Sequence, residues 1–356
     1  MKPLNVAIIG QGRSGRDIHG AYLKKDPEYF RIAAVVDLIE DRRHRAAAEY
    51  ECDVYADYRE LLKRSDLDLV VNSTPSHLHV PVTREFLAAG FNVLCEKPLA
   101  KRASEVDDLI AVSKRAGKVL AIFQQSRYSP VFLKLREVLA SGVLGRIVQI
   151  SMAWNGFGRR WDWQTLQKFN GGSLLNTGPH PLDQALQLFG EGMPEVFCRM
   201  DRANTWGNAE DHVKIVLSGT GHPIIDMEVS SCLAYPCFSY NVYATRGGLK
   251  GSQTAMEWKH FIPEEAPEQR LIEEPLRTEE GLPCYCREEL VWHTGSWDAK
   301  EARDASGGSF TNAVASIYHM LYRTLATGAP LEVTPEQVRR QIAVIEECHR
   351  QNPGIY

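Results

Sequence analysis

The chain has 356 residues, 44% hydrophobic and 24% charged, with a formal net charge of −4. That is the composition of a globular protein with room for two domains, and its faintly acidic balance gives no reason to expect nucleic acid or an anionic membrane as partner. No apolar run approaches the ~20 residues of a membrane span, the first strand begins at once without the shape of a signal peptide, and the eight cysteines read as reduced thiols of a cytoplasmic protein.

Residues 5–10 form a short apolar run that ends in glycine, and residues 16–24 have helical character. Between them lie Gly10, Gln11, Gly12, Arg13, Ser14 and Gly15. Strand, glycine turn and helix is the context in which Gly-x-Gly-x-x-Gly binds a dinucleotide. The first glycine permits the tight turn, the second lets backbone approach a pyrophosphate, and the third lets helix and strand pack closely. The helix start adds free N–H groups and the positive end of its dipole. A second strand, residues 30–37, ends in Asp37, where this fold places the carboxylate that accepts ribose hydroxyls. Asp37 favours NAD and repels the extra phosphate of NADP. Arg42 and Arg43 lie close after Asp37 and could soften that choice, so NADP is not excluded, although exposed charges on the following helix (41–50) are their simpler reading.

The pattern then repeats. Residues 57–65 read as helix, 68–72 as strand, 80–89 as helix and 90–94 as strand, followed by Cys95, Glu96, Lys97 and Pro98. Residues 104–116 read as a helix capped by Ser104, and 119–123 as the next strand. Alternating strand and helix predicts a doubly wound parallel sheet over residues 1–125, a Rossmann domain. Open sheets of this kind bind ligands at the carboxyl ends of their strands. Thr74, Pro75, His77, Glu96, Lys97 and Gln125 all fall there and are expected at the cofactor.

Residues 126–356 predict an α+β domain. A helix (131–141) leads to a strand (147–154), then to a loop (155–164) dense in aromatic and hydrogen-bonding groups. Trp161 and Trp163 are two apart, so a pleated backbone puts both on one face. They suit a carbohydrate ring, or simply bury the loop. After Gly171 and Gly172, Pro179 and Pro181 fit only a helix's first turn, so a helix should start near Gly178 and run to Phe189. His180 lies at its amino end, where the dipole favours a neutral imidazole able to act as a base. Asp183 shares its face and is expected to hold the imidazole or to accept from neighbouring groups. Strand-like runs at 196–202, 212–218, 224–232 and 239–245, with turns at 218–221 and 246–248, predict a large, mostly antiparallel open sheet. One face should pack on helices; the other suggests a homodimer or homotetramer interface. Residues 263–283 read as an exposed excursion, 309–327 as an amphipathic helix, and Thr334 with Pro335 as the start of the last helix. Cys284 and Cys286 lack a second ligand pair at zinc-like spacing, so no metal is expected.

The motifs Gly10–Gly15, Thr74-Pro-Ser-His77, Glu96-Lys97-Pro98, Gln125-Ser-Arg127-Tyr-Ser-Pro130 and the stretch from Gly171 through Asn176 and His180 to Asp183, in this order, resemble the glucose–fructose oxidoreductase / inositol dehydrogenase / MocA family. The resemblance spans nearly the whole chain except roughly residues 256–303. It implies an NAD(P)-dependent oxidoreductase acting on a sugar, inositol or related polyol. It assigns Lys97 to the lysine that meets nicotinamide and substrate hydroxyl, and His180 to the general acid/base. Asn176 stands where the family most often has aspartate. A carboxamide hydrogen-bonds but does not exchange protons, so it orients substrate or histidine, and the proton work falls on Lys97 and His180. The rival expectation is a non-catalytic dinucleotide-binding sensor of the same fold.

Overall fold

Two sheets carry the architecture, and the burial pattern of their strands decides the class of each. The computed structural model describes residues 2–235, 237–300 and 309–356. In the first half the strands are β1 (Leu4–Ile9), β2 (Phe30–Val36), β3 (Asp53–Tyr55), β4 (Leu69–Asn72), β5 (Val93–Cys95) and β6 (Leu120–Ile122). They form one sheet in the order β3-β2-β1-β4-β5-β6, parallel throughout. β4, β5 and β6 are buried along their whole length, as expected of strands covered on both faces. The connecting helices are α1 (Arg13–Gly20, wound wider than an α-helix, then Ala21–Leu23), α2 (Glu40–Tyr50), α3 (His79–Ala88) and α4 (Ala103–Ala116).

Two local expectations are corrected. Residues 57–65 hold only a short 3₁₀ turn, Tyr58–Lys63. Ser104 does not cap α4: the Glu105 carboxylate instead accepts from the backbone N–H groups of Lys101 and Arg102, at 3.1 and 2.9 Å. A glutamate in the first turn reaches back to those donors more readily than a serine already inside the helix.

The second sheet contains β7 (Ile147–Asn155), β8 (Glu195–Asp201), β9 (His212–Ser218), β10 (Ile224–Ser230), β11 (Tyr240–Ala244), β12 (Gly247–Gly251), β13 (Ala255–His260) and β14 (His293–Asp298). Its order is β14-β13-β12-β11-β7-β10-β9-β8. β7 and β10 run parallel; the other pairs are antiparallel. Val213, Ile215 and Leu217 alternate inward along β9, the pattern of a sheet with one covered face. β12–β14 are strands that periodicity did not reveal. Gly247 and Gly248, expected in a turn, open β12. A β-carbon on Gly247 would lie 2.0 Å from the Lys259 carbonyl, so glycine permits close strand pairing there. The loop 263–283 is exposed for most of its length.

Helix α5 (Pro130–Ala140) lies between the two sheets in sequence, α6 (Ser173–Asn176) and α7 (Pro179–Phe189) follow β7, and α7 packs on β7 and β10. The last helices, α8 (Ser309–Thr327) and α9 (Pro335–Arg350), return to the first sheet. Tyr318 of α8 stacks on Tyr22 at 5.0 Å and meets Phe30 edge-on at 5.3 Å. The Gln341 amide of α9 spans both halves, accepting from Gln124 at 2.8 Å and donating to the Pro179 carbonyl at 2.6 Å. Thr334 caps α9 through the Gln337 N–H, 3.2 Å away. The eight cysteines are all free. Among the described residues, no helix is long and apolar enough to cross a membrane.

Candidate active site

The turn after β1 is held by the carboxylate at the end of β2. Asp37 is buried and accepts from the Gln11 N–H at 2.7 Å and the Ile39 N–H at 2.8 Å. Gly10 adopts φ +96°, and a side chain on it would meet the Ser73 carbonyl; one on Gly15 would begin 1.8 Å from the Gly10 carbonyl. Both glycines are therefore demanded by the packing of α1 on β1 and β4. Gly12 faces open space instead, with no heavy atom within 4 Å of where a side chain would begin. A close backbone approach with room above it, opening into the start of α1 with Arg13 and Ser14, fits a dinucleotide pyrophosphate. Arg42 lies 3.5 Å from the Asp37 carboxylate, while Arg43 donates to the Asp37 and Leu38 carbonyls, each at 2.9 Å.

Beyond β4 and β5 the segments brace one another. Thr74 donates its hydroxyl to Asn72 Oδ1 at 2.7 Å. Buried His79 lies 2.9 Å from the Thr74 carbonyl and 2.7 Å from that of Pro98, tying the turn containing Pro75 to the segment that carries Lys97. His77 stands at the rim, its ring 5.0 Å from Phe169 of the second half. Glu96 is buried, 3.2 Å from His19 Nε2, whose Nδ1 lies 2.7 Å from the Tyr318 hydroxyl. Burial alone would raise the Glu96 carboxyl, but the His19 hydrogen bond and charge bring it down to about 2. Glu96 also accepts from the Lys97 N–H at 3.0 Å, so it braces the strand end that carries the lysine.

Lys97 and His180 come together from the two halves. Lys97 Nζ donates to the Asn176 carbonyl at 2.8 Å. Burial pushes its pKa down; Glu96 pulls it up, and Arg13 and Arg160 push it down again. Burial, then the positive charge of Lys97, hold His180 down at about 3. The imidazole stacks on Trp154, ring centres 5.9 Å apart. Its Nδ1 is buried without a partner. The Asn176 side chain accepts from Gln164 at 3.3 Å.

Asp183 does not hold the imidazole. Both its oxygens accept from buried Arg127, at 2.9 and 2.5 Å, because a bidentate guanidinium satisfies a buried carboxylate better than one ring N–H. The pair instead locks α7, and with it His180, to the segment after β6 that carries Gln125. Trp161 and Trp163 are also displaced from expectation. Asp162 accepts from the Gln164 N–H at 3.1 Å and starts a short 3₁₀ turn, so the backbone is not pleated. Trp161 is 76% exposed, and Trp163 lies edge-on to Phe169. The aromatic side chains beside His180 are Trp154 and Trp297, which with Gln125 line a cavity of about 360 Å³.

Sequence reading missed Glu210. It is buried, accepts from the Leu174 N–H at 2.7 Å and from the Tyr356 hydroxyl, and its carboxyl is pushed up to about 7 by burial. It anchors the start of α6, whose last residue holds Lys97. No local signal marks it, since the contact joins residues far apart in sequence. Among the described residues no cluster of side chains suits a metal ion.

Residues 4–124 match the model of an oxidoreductase family with an NAD-binding Rossmann fold, and residues 132–250 match the GFO/IDH/MocA C-terminal domain. The chain is 32% identical over 194 residues to an uncharacterized oxidoreductase of Schizosaccharomyces pombe, a stretch covering 53% of each protein. It is likewise 32% identical over 194 residues to D-glucoside 3-dehydrogenase of Escherichia coli K12, covering 53% of this chain and 54% of that one. The chain thus spans about half the length of these two curated relatives. The crystal structure of an NAD-binding protein from Listeria innocua superposes with a TM-score of 0.80 at 21% identity, over 99% of this chain and 96% of the other, and shows a shared fold.

Proposed function

The chain belongs to the GFO/IDH/MocA oxidoreductase family, with an NAD-binding Rossmann domain as its first module, and we propose that it oxidises a hydroxyl-bearing carbon of a sugar, inositol or related polyol at the crevice between its sheets. The observation that carries this reading is the hydrogen bond from Lys97, beyond β5 of the first sheet, to the Asn176 carbonyl, just before the helix that opens with Pro179 and His180. An amine from the end of β5 rests on the carbonyl that closes α6, and its charge is felt by the imidazole at the start of α7. Similarity to a glucoside dehydrogenase supports the substrate class.

Bound NAD supplies the hydride acceptor. The glycine turn would seat its pyrophosphate and Asp37 its ribose hydroxyls. His180, kept neutral, accepts the hydroxyl proton at a ring nitrogen. Lys97 donates a hydrogen bond to the oxygen as it becomes a carbonyl. Burial and the charge of Lys97 keep His180 neutral before the proton arrives. Asn176 relays no proton: its carbonyl aims the lysine. In assembly, the outward positions Phe197, Ile224 and Tyr243 on the open face of the large sheet suit a second copy of the chain.

Incubating the protein with NAD and a panel of sugars, glycosides and polyols tests the reading through the absorbance of reduced nicotinamide. The expected result is turnover of at least one neutral member. NADH binding with no turnover across the panel would overturn it in favour of a sensor.

A further inference from the structure

A series of hydrogen bonds that ends at the main chain of Lys97 begins in the second half of the molecule. Tyr318, fully buried on α8, has its hydroxyl 2.7 Å from His19 Nδ1, and His19 Nε2 lies 3.2 Å from Glu96 Oε1. The other Glu96 oxygen accepts from the Lys97 N–H at 3.0 Å. The His19 ring is held edge-on to Phe123 at 4.5 Å, and Tyr318 is clamped between Tyr22 and Phe30. A carboxylate only accepts, so His19 Nε2 carries a proton. Burial keeps the Tyr318 phenol protonated, and a hydroxyl can donate to a neutral ring or accept from a charged one. His19 therefore presents an N–H to Glu96 in either state. Keeping an ionised carboxylate in the interior is costly unless its oxygens are satisfied, and here both are. The arrangement supplies a negative charge next to an amine that burial, Arg13 and Arg160 all discourage from holding a proton.

We propose that His19 and Tyr318 are positioning residues for the active-site amine: they hold Glu96 ionised and fixed, and Glu96 in turn braces the main chain of Lys97 and keeps its ammonium charged. Both act only through Glu96. The use of the lysine in alcohol oxidation rests on the reading above; its charge state does not.

Lys97 is not fully covered, so acetic anhydride reaches it. Competitive labelling with that reagent, read by mass spectrometry on the peptide containing Lys97, follows the amine's ionisation across pH in the full chain and needs no substrate. Glu96→Gln keeps the shape and removes the charge, so the labelling midpoint should move to lower pH and the rate at about pH 7 should rise ~10-fold. His19→Leu, which strands the carboxylate, should move the midpoint the same way, and His19→Gln, whose amide can still donate to Glu96, should lie nearer the parent. Tyr318→Phe removes one oxygen and should give the smallest move in that direction. Arg13, Arg160 and His180 also face the amine, and His79 faces Glu96; these variants leave all four in place. A merely structural role would raise labelling at every pH and leave the midpoint where it was. That result, or midpoints unmoved in Glu96→Gln and Tyr318→Phe, would overturn the proposal. If Glu96→Gln or His19→Leu no longer binds NADH, Tyr318→Phe decides. A moved midpoint in a protein that turns over no alcohol would uphold the proposal and count against the alcohol-oxidising reading, so the two fail separately.

Discussion

The two walls of the crevice each combine a fixed brace with groups left open. On the cofactor wall, Asp37 takes two backbone N–H groups and Ser73 donates to the Ile9 carbonyl at 2.8 Å, while Gln11 Oε1 and His77 Nδ1 are buried without partners. On the substrate wall, Asp183 is closed on Arg127 by two hydrogen bonds, while His180 Nδ1 is buried without a partner. Buried, unpaired groups cost stability, and such groups persist where chemistry needs them. The walls differ in what does the bracing: main-chain N–H groups on the first, a buried ion pair on the second.

The largest effect should come from Lys97→Ala, with kcat falling ~10³-fold or more while NADH binding, followed by its fluorescence, is kept. Loss of binding together with turnover would mean that the walls are not separable. Next is Arg127→Leu. It strands the Asp183 carboxylate in the interior, and thermal or denaturant unfolding should register ~3–5 kcal/mol of lost stability. A smaller loss would mean that the buried pair does not lock the walls together.

Asp37→Ser sharpens the contrast from the cofactor side. It should weaken kcat/KM for NAD by ~10-fold and improve it for NADP, because Arg42 and Arg43 then face the extra phosphate without a competing carboxylate. An unchanged NAD/NADP ratio would show that Asp37 only braces the turn.

Acid should expose the cost of the buried histidines. His180 and His349 are each held at about 3 by burial, and burial lowers His79 also. The unfolded chain takes up these protons below ~6.5, whereas the folded chain resists. Stability is therefore lost as pH falls from about 6.5 toward 3, by up to ~1.4 kcal/mol per unit for each histidine. Glu210, raised to about 7, acts with the opposite sign. Its protonated form is favoured in the fold, so its contribution is present below ~4.5 and lost as pH rises through 7. Unfolding midpoints should fall on the acid side, and Glu210→Gln should remove the loss on the neutral side. The smallest effect belongs to Trp161→Ala. An indole this exposed should change stability by less than ~0.5 kcal/mol; a large change would place it in a packed contact.

The cofactor wall was legible because its parts are local. Gly10, Gly12, Gly15 and Asp37 sit at fixed offsets from strands that announce themselves by runs of buried apolar residues, and Pro179 declares the start of α7 through its own missing N–H. Lys97 and His180 stood out by motif. Their partners did not. Asp183 was expected beside His180 because a helix brings positions three apart to one face, yet a guanidinium from another element claimed it. Ser104 lost its cap to Glu105, and β12–β14 were hidden by glycines and charges that alternate weakly.

Sequence alone determined the family and the parallel sheet with its glycine turn, since each is written within a short stretch of chain. Tertiary structure decided which carboxylate pairs with which cation, which tryptophans meet the imidazole, and how Glu210 reaches α6. Those contacts join residues distant in the chain, and burial, which sets both their strength and their protonation, exists only once the two sheets have closed on each other.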